Sequence, residues 1–191
     1  MKRPKLDPIS EAGLRKKTQI HLRRYWPSVV QMRRILQRHI DRNIRRWGGD
    51  REEAMARIDP LLEELVERGK LNDARFTRSW VEQLDRRGVS RRAIIAKMRE
   101  KGIETDLVLD ELSRLDDEGG DRELLRAIAY ARRRRLGSAQ RDPLRREARR
   151  EKDLAVMARA GFSYGIARRV MESEDLIQLQ EDVEGSCPSD V

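Results

Sequence analysis

The sequence predicts an all-α protein made of tandem three-helix repeats, three units in an elongated, curved array. Three observations carry this expectation. Apolar residues recur at three- and four-residue spacing, and Val, Ile and Thr never form the period-2 run of a strand. Ala, Leu, Arg and Glu, all good helix formers, dominate the 191 residues. Part of the chain also returns 59 positions later, where Ile95, Met98, Gly102, Ile103, Leu107 and Leu112 fall on Leu154, Met157, Gly161, Phe162, Ile166 and Met171. Units this small bury their own faces poorly, so neighbours must stack.

The elements follow in order. Residues 1–10 hold two prolines and no periodicity, and are expected to be a flexible arm. The first unit, 11–70, opens with a helix carrying Leu14, Thr18, His21, Leu22 and Tyr25 on one face, ended by Pro27. Ser28 is placed to cap a second helix with Met32, Leu36, Ile40 and Trp47 inward, stopped by Gly48 and Gly49. A third helix buries Ala54, Ile58, Leu61, Leu62 and Leu65 and ends at Gly69. Within it, either Asp59 caps a shorter helix with Pro60 at its first position, or Pro60 kinks a longer one.

The second unit, 71–118, starts from Asn72 as a cap and buries Phe76, Trp80, Val81 and Leu84 before Gly88. Ser90 caps its middle helix, with Ile94, Ile95 and Met98 inside and Gly102 at the end. Glu104 or Thr105 starts its last helix, which buries Val108, Leu112 and Leu115. The third unit, 119–173, opens at Asp121 with Leu124, Leu125, Ile128 and Ala129 inward and closes at Gly137. Asp142 and Pro143 restart a helix through Leu144, Leu154 and Met157, and Ser163 caps a short helix with Ile166, Val170 and Met171. Residues 174–191 have low hydrophobicity and a single charge sign, and are expected to be a disordered acidic tail.

Charge narrows the function. With 40% charged and 38% apolar residues, the core must be thin. The net charge is +9, and taking away the seven acids among residues 172–191, a stretch without Lys or Arg, leaves +16 on residues 1–171. A body this basic attracts a polyanion or an acidic protein groove, with a merely solubilised helical surface as the alternative. The arginines cluster from Arg15 to Arg46 and again from Arg132 to Lys152. Arg suits bidentate pairing with phosphate or carboxylate.

Other classes are excluded or disfavoured. The chain has no phosphate loop, no HExxH and no GxSxG, and its carboxylates are interleaved with Arg as on solvated helix faces, so no catalytic residues, cofactor or metal are expected. One cysteine, Cys187, and two separated histidines, His21 and His39, form neither a disulfide framework nor a zinc set. No apolar run approaches the roughly 18 residues of a membrane span, and residues 1–10 lack a signal core, so a cytoplasmic protein is expected. Operator reading by a helix-turn-helix is also disfavoured. The helix that would enter the groove after Gly102 carries Glu104, Asp106, Asp110, Glu111, Asp116 and Asp117 against Arg114 alone. Only the last pair, with Arg168 and Arg169, could dock in that way. Trp47 and Trp80 lie on apolar faces and are expected in the core. Trp26, beside Arg23 and Arg24, is the better surface candidate for base stacking, with core packing the alternative.

The run GKLNDARFTRSWV followed by RRGVSRRAIIAKMREKGI resembles the central signature of the RecX family of bacterial recombination regulators. The later run KDLAVMARAGFSYGIARRVM resembles that family's C-terminal signature, and YWPSVVQMRRILQRHI is compatible with its first repeat. The resemblance implies a monomeric, non-catalytic chain that binds the RecA recombinase and its nucleoprotein filament, lies along the filament groove, and damps extension, strand exchange and coprotease activity. Such a protein would modulate DNA repair and the SOS response. Direct binding to single- or double-stranded DNA, without a recombinase, is the alternative. Under either reading the expected docking residues are Arg23, Arg24, Arg33 and Arg34 in the first unit, Arg86, Arg87, Arg91 and Arg92 in the second, and Arg145, Arg146, Arg149 and Arg150 in the third.

Overall fold

Eleven α-helices and one 3-10 turn are found among the described residues, 7–140 and 142–185 of a computed structural model, and no strand occurs among them. Cys187 lies outside the described residues. The chain divides into two compact units. One comprises the described residues up to Phe76 together with Lys101–Ile103; the other comprises Thr77–Glu100 and the chain from Glu104 onward.

In the first unit, α1 (Glu11–Leu22), α2 (Val29–Trp47) and α3 (Arg51–Ala56) each begin at a side-chain cap, and α4 (Ile58–Glu67) follows Arg57 without one. Ser10 accepts from the Gly13 amide at 3.2 Å, and Asp50 accepts from the Glu53 amide at 3.0 Å. Ser28 forms a full capping box: its hydroxyl accepts from the Gln31 amide while the Gln31 side chain accepts from the Ser28 amide, each at 3.2 Å. The core is Leu14, Met32, Leu36, Ile40, Ile58, Leu61, Leu62 and Leu71. Each such side chain contributes about 1.5–3 kcal/mol on full burial.

Three expectations in this unit are corrected. The segment 7–10 is not a free arm: Ile9 is buried, its carbonyl accepts from Arg57 at 3.0 Å, and the Pro8 carbonyl lies 3.1 Å from His39 Nε2. α1 ends at Leu22, several residues before Pro27, and Tyr25 is exposed rather than inward. The residue before a proline is steered away from helical geometry, and the chain uses residues 25–28 to leave the helix and reach the Ser28 cap. The break near Pro60 falls at Arg57, whose backbone stays in the right-handed helical region, and Pro60 is the third residue of α4. First-turn amides lack intrahelical acceptors, so proline there removes no bond.

The second unit contains most of α5 (Asp73–Arg86), then α6 (Arg91–Glu100), α7 (Thr105–Asp117), α8 (Arg122–Arg134), the turn Gly137–Ala139, α9 (Pro143–Arg159), α10 (Tyr164–Glu172) and α11 (Leu176–Gly185). Asn72 caps α5 by accepting from the Arg75 amide at 2.8 Å. Asp121 accepts from the Leu124 amide, and Asp142 serves α9 with Pro143 at its first position. Leu124, Ile128, Met157, Phe162, Val170 and Met171 form one core with Leu176 and Val183. Val81, Leu84, Ile94, Met98, Val108, Leu112 and Leu115 are buried as well.

The internal repeat is visible in burial. Met98, Met157 and Leu112 are fully buried, and Met171, Ile103 and Phe162 nearly so. Ile95 with Leu154, Leu107 with Ile166, and Gly102 with Gly161 are all half-buried. Trp47 and Trp80 are half-buried too, at the edges of the apolar faces that hold them.

Two further expectations fail here. Leu144 is 84% exposed, because α9 outruns the core it packs on; its buried positions, Asp153 and Met157, come late in the helix. Residues 176–185 are not a disordered tail. Leu176, Leu179 and Val183 recur at helical spacing and supply an apolar stripe, and the first and last of these are buried against the α8–α10 core. The acidic residues of α11 face outward around that stripe.

Candidate partner interface

An arginine can meet an external anion only if the fold leaves its guanidinium available. The twelve expected docking arginines divide on this criterion. Arg23 and Arg24, in the turn after α1, and Arg86, Arg87 and Arg92, around α5 and α6, are exposed and have no carboxylate partner among the described residues. Arg34 is exposed on α2 and carries an internal interaction. Arg33 is half-buried and paired with Asp59. Arg145 pairs with Asp142 at 3.4 Å, Arg149 with Asp153 at 3.7 Å and Arg150 with Glu172 at 3.4 Å, while Arg146 is half-buried. Most of these pairs are solvent-exposed, so the local acid holds the side chain only weakly.

Arg91 is occupied for a different reason. It donates to Asp116 at 2.6 Å, and its amide donates to Glu123 at 3.1 Å. The same two acids serve Arg126, which is only 2% exposed and donates to Asp85 at 2.6 Å, Glu123 at 3.2 Å and Asp116 at 3.4 Å. Arg122 completes the set at 3.0 Å from Asp85. A guanidinium this buried is tolerable because all of its directions end on carboxylates. Arg91 therefore belongs to an internal network, and of the adjacent pair only Arg92 is available. Arg168 and Arg169 are likewise engaged, with Glu172 at 2.7 Å and Asp121 at 3.4 Å.

Three further cations of the Arg15–Arg46 cluster are available. On α2, Arg38, Arg42 and Arg45 are exposed, have no carboxylate partner among the described residues, and continue the stripe begun by Arg34. Residues spaced four, four and three apart share one helical face, here opposite the buried Met32, Leu36 and Ile40. That spacing was readable in the sequence. The burial of Arg126 was not, because it lies off the apolar stripe of Leu124, Ala127, Ile128 and Ala131.

Titration behaviour follows the same contacts. The hydrogen bond from Arg15 holds the Glu64 carboxyl below its usual range. Burial pushes Asp73 up, opposed by the Val29 amide that donates to it at 2.9 Å. Burial lowers both histidines; Lys17 adds to this for His21, and for His39 the hydrogen bond with the Pro8 carbonyl opposes it. Among the described residues no group of three or more His, Cys, Asp and Glu side chains could hold a metal ion, and no helix is long and apolar enough to cross a membrane.

The chain's relatives agree with this architecture. Residues 72–110 match the family model for RecX, second three-helix domain. A regulatory protein RecX from Myxococcus xanthus (strain DK1622) is 37% identical over 172 residues, covering 90% of each chain. Its namesake from Thermobifida fusca (strain YX) is 33% identical over 61% of this chain and 60% of its own. That of Streptomyces coelicolor is 33% identical over 66% of this chain and 64% of its own. No solved structure matches the chain. A helical chain with the repeated glycine-centred pair, aligned with a RecX protein along nine-tenths of its length, belongs to the RecX family of regulatory proteins.

Proposed function

We propose that this chain regulates the RecA recombinase by binding along its nucleoprotein filament in the cytoplasm, as a monomer without cofactor or catalytic step. One observation carries the reading beyond family membership. Exposed arginines lacking carboxylate partners among the described residues recur at separated points of the chain: Arg23 and Arg24, then Arg38, Arg42 and Arg45, then Arg86, Arg87 and Arg92. Contacts of this kind are individually weak, and they gain strength only where a partner presents anionic groups at matching intervals. A filament offers such intervals through acidic protein surface or DNA phosphate. Occupying its groove would oppose extension, strand exchange and coprotease action, and so moderate DNA repair and the SOS response.

The test is co-sedimentation with RecA filaments, with and without single-stranded DNA, alongside strand exchange and ATPase measured at stoichiometric protein. Co-sedimentation with slowed strand exchange is expected. If RecA's activities are unchanged while the chain still binds bare DNA with steep salt dependence, the protein is a nucleic-acid binder without a recombinase partner.

A further inference from the structure

Trp26 and Tyr25 are 65% and 58% exposed, side by side in the segment between α1 and α2. Leaving two such rings in water forgoes a large burial, since each carries 150–250 Å² of mostly apolar surface in typical cases. The backbone beneath them is nevertheless firmly held. Pro27 and Ser28 are buried, Ser28 forms the capping box of α2, and its hydroxyl also donates to the Lys101 carbonyl at 2.9 Å. The rings are thus displayed by a fixed support. The Arg75 guanidinium lies 4.0 Å from the centre of the Trp26 ring, a cation–π contact.

The rings border a groove of about 330 Å³ whose lining includes Gly69, Lys70, Asn72 and Arg75. A second groove of about 390 Å³ shares Leu22 and Lys70 with it and adds Arg15, Arg23 and Arg68. Among the described residues the one acid in either lining is Glu64, and it is already bound by both Arg15 and Arg68. Arg23, Lys70 and Arg75 have no carboxylate partner among the described residues, nor does the neighbouring Arg24. The pair of grooves therefore combines a largely exposed indole, with Arg75 on one face, and uncompensated positive charge.

We infer that this surface is a single-strand nucleic-acid site, with an unpaired base stacking on Trp26 and phosphates meeting Arg23, Arg24 and Lys70. The chemistry selects this ligand. A duplex keeps its base faces stacked inside and would use only the cations, whereas an acidic peptide would satisfy the cations and leave the rings uncovered. A single strand supplies planar faces and regularly spaced phosphates together. The site goes beyond the recombinase reading and stands whether or not RecA is the partner.

The experiment uses the full chain with an oligothymidylate of about 15 nucleotides, near the upper site size of single-strand binders. Binding is followed by fluorescence anisotropy and by quenching of protein tryptophan emission. Trp26→Ala is expected to weaken binding about five- to one-hundred-fold, the range for losing one stacked base, and Trp26→Phe to recover most of the loss. The urea midpoint should fall only slightly for Trp26→Ala, which loses an exposed cation–π contact with Arg75, and less for Trp26→Phe. An abasic strand of equal length should bind weakly to the native chain and be insensitive to Trp26→Ala. Equal binding of the abasic strand, of a duplex or of polyglutamate at matched charge would overturn the proposal, as would full-strength binding by Trp26→Ala. Filament co-sedimentation scored on the same variants separates the two readings, because loss of oligothymidylate binding alone leaves the recombinase interaction standing.

Discussion

Ser90 and Ala160 are joined across seventy residues by a single hydroxyl: Ser90 Oγ donates to the Ala160 carbonyl at 2.6 Å while accepting from the Ala93 amide at 3.3 Å. Ser28 does the same with the Lys101 carbonyl at 2.9 Å and the Gln31 amide at 3.2 Å. In both cases the carbonyl is followed by a glycine, Gly161 or Gly102, that has positive φ and no room for a side chain. A Cβ on Gly161 would lie 2.6 Å from Ser90 Oγ, and one on Gly102 would lie 2.5 Å from Val30. The helix cap and the closing glycine are therefore two halves of one joint, made once in each unit.

Ser90→Ala should cost more than a cap alone. Losing a cap costs about 1 kcal/mol, and leaving the half-buried Ala160 carbonyl unpaired adds about another 1 kcal/mol. Ser163 is the control, because it caps α10 through the Ile166 amide at 3.3 Å and makes no tertiary bond among the described residues. Urea unfolding of Ser90→Ala and Ser163→Ala measures the difference. Equal losses would mean that the carbonyl contact contributes nothing.

Gly69 and Gly88 share a φ of +64° but not a neighbourhood. A Cβ at Gly69 meets nothing within 4 Å, whereas at Gly88 it would stand 2.5 Å from the Tyr130 amide nitrogen and 2.6 Å from the Arg126 carbonyl oxygen. Gly69→Ala should lose about 1–2 kcal/mol, the cost of a left-handed non-glycine residue. Gly88→Ala should lose more than about 3 kcal/mol, since backbone atoms cannot step aside cheaply. A thermal or urea series on both variants checks the ranking, and comparable losses would refute it.

In the buried network, losing one partner should cost more than losing both. Asp85→Leu removes the 2.6 Å partner of Arg126, leaving a buried cation held by Glu123 and Asp116 at longer range. A loss of about 3 kcal/mol is expected. Replacing both, as Asp85→Leu with Arg126→Met, removes the uncompensated charge and should restore most of it. A double-mutant cycle in urea reads the coupling, and additive losses would show that the pair is not linked.

How much of this was legible beforehand depended on what each residue answers to. Caps such as Ser28, Asn72, Ser90, Asp142 and Ser163 act on the backbone within one turn, so sequence spacing locates them. Helix faces were equally visible, because Met32, Leu36 and Ile40 need only a period and a neighbour. The sequence could not reveal which arginines the fold consumes. Arg91 and Arg92 are adjacent and chemically alike, yet one is drawn into the Arg126 network by acids 25 and 32 residues away. Tertiary distance decides that, and local pattern does not contain it. Trp26 stood between surface and core for the same reason, until the support beneath it could be seen.

In the acidic C-terminal helix the apolar spacing of Leu176, Leu179 and Val183 outweighs the charge, and that alters what truncation should do. A disordered acidic tail folded back on the basic body would weaken binding, so removing residues 174–191 would then strengthen DNA or filament binding at low salt. In the fold, Leu176 and Val183 are each 4% exposed against the α8–α10 core, and the Val183 carbonyl approaches Gly120 so closely that a Cβ there would sit 3.0 Å away. Truncation after Ser173 should therefore destabilise the second unit by about 3 kcal/mol or more, from two buried aliphatic side chains. Any rise in DNA binding by that variant would be confounded by exposed core. The charge effect is tested separately with Glu174→Gln and Glu181→Gln, both exposed and without a partner among the described residues. These should leave the urea midpoint unchanged and tighten oligonucleotide binding at low salt only, a gain that vanishes as screening shortens the range of the repulsion. An unchanged affinity at low salt would remove the acidic residues from the electrostatics of binding and leave α11 as a structural closure of the core.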